Sequence, residues 1–256
     1  MPMQYPGWDQ PAQPEPTRPK RRHRGTKWLI AVVVLLGLLV GADRVALLIA
    51  ENQLASRIQS SQHLSQKPDV SIAGFPFLTQ VAARDFPQAT VDIHGLDANG
   101  LTITDLHADL RGVHVDSGFN AATVDTLNAT AQLSYADIGK ALSSKLNLGG
   151  VQVGTVQVSQ AGADQIKASY DLLGVTVSTT IDVTLSGPNT LEFRSVGFQT
   201  PLSAIGLSPQ NIDVSYDLGA LPFGINLTQL TFTPSDVEVA AAGSHVSLSQ
   251  SSISGG

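Results

Sequence analysis

The chain has 256 residues, of which only 14% are charged. It contains no cysteine, which excludes a disulfide framework, thiol catalysis and thiolate metal sites. Residues 1–27 carry six basic and two acidic residues (+4), whereas residues 28–256 carry nine basic and nineteen acidic residues (−10). A folded part this acidic lacks the concentrated basic surface that nucleic-acid binding requires.

The N-terminal region predicts a disordered tail and then a membrane segment. Residues 1–27 are rich in proline and include the basic cluster Lys20–Arg24, so they bury too little apolar surface to offset the entropy of ordering. Residues 28–42 hold no charge and would span about 22 Å as a helix, short of a ~30 Å hydrocarbon core. We expect either an uncleaved single-pass transmembrane anchor or the apolar region of a signal peptide. Either kind of segment places the folded part, residues 43–248, outside the cytoplasm. Residues 249–256 are predicted to form a flexible C-terminus.

An amphipathic helix is predicted directly after this segment. Between Asp43 and Ser60, six apolar residues recur at helical spacing with polar residues between them. They are Val45, Leu47, Leu48, Leu54, Ala55 and Ile58. We expect this apolar stripe to pack on the sheet of the same domain and, together with the sheet, to enclose a cavity.

The stretch 70–80 joins a strand to an unusually apolar loop. Its first residues alternate between apolar and polar as in a half-buried strand, until Gly74 and Pro76 interrupt the pattern. The apolar residues that follow are Phe75, Phe77 and Leu78. Because loops are normally polar, these side chains either close the end of a core or line a site for an apolar ligand.

After Pro68, almost every segment is predicted as a β-strand with one apolar and one polar face. The alternation is clearest at residues 127–133, 165–172, 173–185 and 212–218. Such alternation is typical of an antiparallel sheet that is solvated on one side, and it argues against a parallel α/β architecture. The predicted fold class is therefore α+β and mostly β.

Two of the predicted strands change the parity of their apolar residues midway. One change falls between Ile103 and Leu106, and the other falls across Gly154. A phase change of one residue is typical of a β-bulge, which bends a sheet. We therefore predict a strongly curved antiparallel sheet that wraps around the long N-terminal amphipathic helix.

One helix is predicted within the strand-rich region, over Tyr135–Lys145. Ser134 and Asp137 at its start are spaced for a capping box, in which side chains satisfy the first free backbone N–H groups of a helix. Leu202–Ile205 is predicted to add a single helical turn.

The sequence contains no recognisable catalytic motif. Its best polar cluster is Asp105, His107, Asp109 and Arg111, at two-residue spacing on one strand face. Ligands two apart on a straight strand lie nearly 7 Å apart at ~3.3 Å per residue and rarely converge on one metal ion. We interpret the cluster as a solvated strand face and predict no cofactor and no enzyme activity. An enzyme that uses two carboxylates among Asp92, Asp105 and Asp109 is an alternative.

Several motifs follow one another in a characteristic order: Ala-Asp-Arg at 42–44, Pro-x-Val-x-Ile at 68–72, Gly-Phe-Pro-Phe-Leu-Thr-Gln at 74–80 and Leu-Pro-Phe-Gly at 221–224. Together with the basic tail, the apolar segment and the amphipathic helix, they resemble the LmeA-type phospholipid-binding family of actinobacterial envelope proteins, formerly catalogued as a domain of unknown function. The resemblance implies a tubular lipid-binding fold that encloses an apolar cavity. It also implies binding of anionic phospholipids, including inositol phospholipids, and a role in building envelope glycolipids.

We therefore predict a non-enzymatic, extracytoplasmic protein that holds phospholipid acyl chains in an apolar cavity and serves envelope lipid or lipoglycan assembly. Its expected partners are a phospholipid, the cytoplasmic membrane and envelope glycolipid biosynthesis proteins. The predicted lipid-binding residues are Phe75, Pro76, Phe77, Leu78, Leu48, Val91 and Ile93. The candidates for contact with the head group are Lys67, Arg84 and Arg111, with Arg57 as a further basic residue. The alternative is a structural or partner-binding envelope protein with a solid core and no lipid ligand.

Overall fold

The computed structural model describes most of the chain, with several gaps. The described residues are 24–98, 101–145, 147–148, 151–152, 154–172, 174–198, 213–217 and 225–249. Four sequence-based predictions lie outside them. These are the disordered tail up to residue 23, the turn at Leu202–Ile205, the motif at 221–224 and the flexible end beyond residue 249.

The first element is a long helix, α1, which runs from Arg24 to Ser61. The chain divides into two compact units, residues 1–42 and residues 43–256. Within the first unit, residues 28–42 are all exposed and uncharged. By length and composition, Lys27–Ser61 is apolar enough to cross a membrane. The described part of the chain thus contains one N-terminal helix that fits a signal anchor or a membrane span.

The part of α1 within the second unit is amphipathic, but its apolar residues do not form one buried stripe. Leu47 and Ala55 are buried, whereas Val45, Leu48 and Leu54 are exposed by 57%, 58% and 40%. Successive residues on a helix are rotated by about 100°, so the neighbours Leu47 and Leu48 cannot both face the core. The prediction that the whole stripe packs on the sheet was therefore wrong for the three exposed residues.

Among the described residues, the remaining elements are two short helices and thirteen strands. In chain order they are β1 (Asp69–Ala73), α2 (Phe77–Ala83), β2 (Asp85–Ala98), β3 (Leu101–Val115), β4 (Ala121–Ser134), α3 (Tyr135–Lys145), β5 (Asn147–Leu148), β6 (Val151–Gln152), β7 (Gln157–Gln160), β8 (Gln165–Leu172), β9 (Val175–Leu185), β10 (Thr190–Phe198), β11 (Asp213–Asp217), β12 (Asn226–Phe232) and β13 (Asp236–Ser249). The predicted alternating segments correspond to β4, β8, β9 and β11. The α+β, mostly β fold with an N-terminal helix is confirmed.

The strands form two principal antiparallel sheets. The first sheet has the order β1-β2-β3-β4-β13-β12, the second has the order β11-β10-β9-β8-β7, and β5 pairs with β6. Alternation of apolar and polar residues predicts a strand without naming its partner, so the division into two sheets could not be inferred from it. The sheets share a core in which Ile166 and Val183 of the second sheet pack with Tyr135, Phe232 and Val237.

The apolar face of the first sheet is continuous from strand to strand. Val91 is aligned with Ala108, Ala108 with Ala129, and Ala129 with Ala241. Aligned residues of neighbouring antiparallel strands lie on the same face, so these four positions form one row across the sheet. The buried core of this face consists of Leu110, Val124, Leu127 and Val246.

Strand β1 lies at the edge of the first sheet, beside α1. The N–H group of Ile72 in β1 donates a hydrogen bond to Glu51 Oε1 of α1 at 2.9 Å. Edge strands present unpaired backbone groups that can pair with other chains. The Glu51 carboxylate therefore satisfies a backbone donor that the sheet itself leaves unpaired.

Two glycines in the first sheet have a positive φ. Gly95 in β2 has a φ of 67° and lies beside the change predicted between Ile103 and Leu106. The β2–β3 pairing keeps a constant register here, so the predicted β-bulge was wrong at this position. Gly112 in β3 has a φ of 61°, and a Cβ on it would lie 2.3 Å from a carboxylate oxygen of Asp125. Val153, beside the second predicted change, lies outside the described residues.

Helix α3 begins and ends where the sequence predicts. The N–H group of Asp137 donates to Ser134 Oγ at 3.1 Å, and the Ser134 hydroxyl donates to Asp137 Oδ2 at 2.6 Å. The hydrogen bond from Ser134, followed by the nearby Lys140 ammonium, holds the pKa of the Asp137 carboxyl below its ordinary value. The predicted Ser134–Asp137 cap is confirmed.

Candidate functional site

A depression of about 580 Å³ lies along the exposed side of α1. It is lined by Val45, Leu48, Ile49, Asn52, Gln53, Ser56, Arg57 and Lys67, and we call it the α1 depression. Its volume falls within the range of roughly 300–1,000 Å³ that is typical of small-molecule sites. The depression thus joins three apolar side chains to two basic ones.

Helical spacing explains why these side chains face the same way. Residues three, four and seven apart lie on one side of a helix, and Val45, Leu48, Ile49 and Asn52 follow this spacing. From Leu48 to Arg57 the helix rises about 13 Å at 1.5 Å per residue. The α1 depression is therefore apolar near the start of the second unit, and Arg57 lies about 13 Å further along the helix.

Lys67 is fixed against α1 although it lies beyond the end of the helix. Its ammonium group donates to Asn52 Oδ1 at 3.0 Å. The amide nitrogen of Asn52 donates in turn to the carbonyl of Leu48 at 2.9 Å, which leaves its oxygen free to accept from Lys67. Lys67 also lines a second depression of about 240 Å³ between α1 and β1. The basic end of the α1 depression is thus built from two separate segments.

The loop before α2 and the first turn of α2 contain the apolar residues for which the sequence left two interpretations open. Phe77 is 4% exposed and packs with Leu47 and Phe86, with 6.2 Å between the two ring centroids. Phe75 and Leu78 are 59% and 46% exposed. Phe77 therefore closes the end of the core, while its neighbours face outward.

The loop is held in place by the first residue of the second unit. Asp43 is 3% exposed, and its Oδ1 accepts a hydrogen bond from the N–H group of Leu78 at 2.8 Å. Helix α2 has Pro76, itself exposed, at its N-cap and no capping side chain of its own. Asp43 therefore caps α2 from a distant part of the chain.

Val91 and Ile93 lie on a third surface, the apolar face of the first sheet. Ile93 is buried, and Val91 is half-buried against the core of that face. The structure therefore places the predicted lipid-binding residues in three locations. These are the α1 depression with Leu48, the loop with Phe75 to Leu78, and the sheet face with Val91 and Ile93.

The basic residues predicted to contact a head group are also dispersed. Lys67 lies in the α1 depression together with Arg57. Arg84 follows α2 in a left-handed conformation with a φ of 57°. Arg111 is exposed on β3 and is aligned with Thr126 of β4. Among the described residues, Arg57 and Lys67 are the basic pair that shares a depression with exposed apolar side chains.

Comparison with protein families assigns most of this architecture to one family. A family model described as LmeA-like phospholipid-binding matches residues 41–242. The chain belongs to this family. Comparison with curated proteins found no match, and comparison with solved structures found none either. The matched residues of the LmeA-like family include Asp43, the α1 depression and the loop before α2.

The charge of this LmeA-like chain is distributed unevenly along the second unit. Residues 43–84 carry four basic and three acidic residues (+1), whereas residues 85–256 carry five basic and sixteen acidic residues (−11). The α1 depression therefore lies in the least acidic part of the second unit. Counting charges over segments would have revealed this asymmetry, which a single total for residues 28–256 conceals.

Sequence analysis did not identify Val45, Ile49 and Asn52 as site residues. The signal that could have found them is the spacing of Val45, Leu48, Ile49 and Asn52, which defines a second helix face beside the buried one. The pairing of Arg57 with Lys67 could not be predicted in this way. It depends on how the chain turns after Ser61, for which the sequence shows no periodic pattern.

The predicted polar strand face carries histidine–aspartate pairs. His94 pairs with Asp105, His107 with Asp92 at 2.5 Å and with Asp109 at 3.2 Å, and His114 with Asp85 at 3.4 Å and Asp125 at 3.6 Å. The hydrogen bond to Asp92, followed by the weaker one to Asp109, raises the pKa of His107 above its ordinary value. No group of three or more such side chains is arranged to hold a metal ion within the described residues.

Proposed function

We propose that this member of the LmeA-like family binds one anionic phospholipid in the α1 depression. The phosphate lies against Arg57 and Lys67, and the acyl chains follow Val45, Leu48 and Ile49. The observation that carries the proposal is the combination of two basic and three exposed apolar side chains in one depression of about 580 Å³. The sheet face around Val91 and Ile93 does not offer that combination, and the exposed side chains of the loop do not line this depression.

The chemistry of the two ends matches the two parts of a phospholipid. A guanidinium group can bind a phosphate through two parallel hydrogen bonds, and an ammonium group adds a mobile point charge. Each methylene group that leaves water contributes about 0.8 kcal/mol. Binding of this kind needs no covalent step, so we propose a carrier or presenter of lipid rather than an enzyme.

We further propose that residues 28–42 anchor the protein in the cytoplasmic membrane, uncleaved. The basic cluster Lys20–Arg24 before this segment favours a cytoplasmic N-terminus, because basic residues flanking a membrane segment remain on that side. Residues 43–256 would then lie outside the cytoplasm, beside the outer leaflet. From there a bound phospholipid could be presented to proteins that assemble envelope lipids or lipoglycans.

Native mass spectrometry of the full-length protein tests the proposal. Arg57→Gln/Lys67→Gln is compared with Arg111→Gln, which removes an exposed basic residue on β3. We expect wild type and Arg111→Gln to carry one anionic phospholipid per chain. We expect the double variant to bind it roughly tenfold more weakly, which corresponds to about 1.4 kcal/mol. Absence of bound phospholipid in the wild type, or equal binding by all three proteins, would contradict the proposal.

A further inference from the structure

The described residues include an apolar surface that the proposed lipid site does not use. We propose that Phe75, Leu78 and Phe119, which we call the apolar patch, insert into the interfacial region of the lipid bilayer. The inference rests on the membrane anchoring proposed above, and it assigns the second unit its own contact with the membrane. The partner is the bilayer surface, and the bound phospholipid is a separate ligand.

Six of the eight exposed large apolar side chains described in the second unit lie between residues 45 and 78. The eight are Val45, Leu48, Ile49, Leu54, Phe75, Leu78, Phe119 and Val196. Three of them belong to the α1 depression, and three form the apolar patch. Contiguous exposed apolar surface on a folded domain marks an interaction site more often than isolated apolar residues do.

Phe75 and Leu78 are exposed from a fixed loop. The N–H group of Leu78 is bonded to the buried carboxylate of Asp43, and the other oxygen of that carboxylate lies 3.6 Å from the Arg44 guanidinium. The same guanidinium lies 4.9 Å from the centroid of the Phe75 ring, within the range of a cation–π interaction. Phe77 between them is buried. The segment is therefore held at Phe75, at Phe77 and at Leu78.

Phe119 extends from a second loop at the same end of the first sheet. The N–H group of Val115, the last residue of β3, donates to the carbonyl of Arg84 at the end of α2, at 2.9 Å. Phe119 lies in the turn that follows, is 53% exposed and has a φ of 55°. A left-handed conformation costs a non-glycine residue roughly 1–2 kcal/mol. Fold stability alone therefore gives no reason for phenylalanine at this position.

The turn that carries Phe119 is itself well ordered by hydrogen bonds. The carboxylate of Asp116 accepts from the N–H groups of Asn120 and Ala121, at 2.7 Å and 3.1 Å. The bond from Ala121, followed by that from Asn120, holds the pKa of the Asp116 carboxyl below its ordinary value. Two separately fixed loops thus present exposed phenylalanines at one end of the domain.

The connectivity of the chain identifies the bilayer as the partner. Asp43 follows the apolar segment 28–42 directly, so it lies where an anchored chain leaves the hydrocarbon. The loop is therefore hydrogen-bonded, through Leu78, to the residue that directly follows the proposed anchor. Arg44 contacts the Phe75 ring, and Arg84 directly follows α2. Basic residues beside inserted apolar side chains are typical of membrane interfaces because they reach lipid phosphates.

The absence of cysteine allows single labels to be placed at chosen positions in the full-length protein. The three positions of the apolar patch are tested with Phe75→Cys, Leu78→Cys and Phe119→Cys, each carrying a polarity-sensitive fluorophore. The protein is reconstituted into nanodiscs of phosphatidylcholine and phosphatidylglycerol that contain nitroxide-labelled lipids. Val196→Cys on β10 is the matched control, because Val196 is an equally exposed apolar residue. Leu35→Cys reports on the anchor.

We expect the nitroxide lipids to quench the three patch labels several-fold more strongly than the Val196→Cys label. Quenching at Leu35→Cys without quenching at the patch would overturn the inference and leave the anchor intact. Absence of quenching at every position would overturn both the inference about the apolar patch and the proposed membrane anchor. In a parallel sample without the fluorophore, disulfide-linked dimers of Phe75→Cys would assign the patch to a second copy and also overturn the inference. Phospholipid occupancy is measured separately by mass, so failure of the α1 site is distinguished from failure of the patch.

Discussion

The carboxylate of Asp43 accepts a hydrogen bond from the backbone N–H group of Leu78 at 2.8 Å, across 35 positions of the chain. This contact joins the start of the amphipathic part of α1 to the first turn of α2. Because α2 lacks a capping side chain of its own, its N-terminus depends on a residue at the boundary of the apolar segment. The position of the exposed loop is thus coupled to the point where the chain enters the second unit.

Removal of this cap should loosen α2 without unfolding the domain. We expect Asp43→Ala to increase the amide hydrogen exchange of residues 77–83 by roughly two- to tenfold, as for other lost helix caps. Exchange in β4 should stay unchanged. Asp164→Ala, at an exposed bend before β8, is the control, and hydrogen exchange with mass spectrometry is the measurement. Equal protection of α2 in both variants would contradict a capping role for Asp43.

The apolar end of the α1 depression should be sensitive to charge. Leu48→Asp places a carboxylate where we expect an acyl chain, so it should lower phospholipid occupancy at least several-fold. Because Leu48 is 58% exposed, thermal stability should change little. Val196→Asp makes the same change at an exposed position on β10 and should leave occupancy unaltered. A similar loss in both variants would indicate a general effect of charge rather than a local site.

The two phenylalanines that flank Pro76 should differ in their effect on stability. Phe77→Ala removes a ring that is 96% buried between Leu47 and Phe86 and should lower the free energy of unfolding by about 3–5 kcal/mol. Phe75→Ala removes an exposed ring and should change it by less than about 1 kcal/mol. Denaturant titration of both variants measures the difference. Equal losses would mean that Phe75 also belongs to the core.

The raised pKa of His107 predicts a pH-dependent contribution to stability. Its stabilisation is fully present below the ordinary pKa of 6.5 and is lost as the pH rises through the raised folded-state pKa. We therefore expect wild type to lose its advantage in Tm over His107→Gln as the pH rises above 6.5. The difference should be small, because the side chain is half exposed. His63→Gln, an exposed histidine after α1, is the control, and a constant difference in Tm across this range would contradict the assignment.

Local patterns predicted individual elements well. The bounds of α3 and β8 follow from periodicity and from the Ser134–Asp137 cap, since both depend on residues close in sequence. The outward orientation of Leu48 and the approach of Lys67 to Asn52 did not follow, because they depend on which helix face meets the sheet. Family resemblance predicted phospholipid binding, but the location of the proposed site required the helix and the segment after it to be seen together.

Photo-crosslinking tests the location of the bound lipid most directly. Full-length protein in nanodiscs is irradiated with phosphatidylglycerol that carries a diazirine on one acyl chain, and the modified peptides are identified by mass spectrometry. We predict crosslinks on α1 between Val45 and Arg57, reduced in Leu48→Asp. Crosslinks confined to the sheet face around Val91 and Ile93, with none on this part of α1, would contradict the proposal that the α1 depression holds the phospholipid.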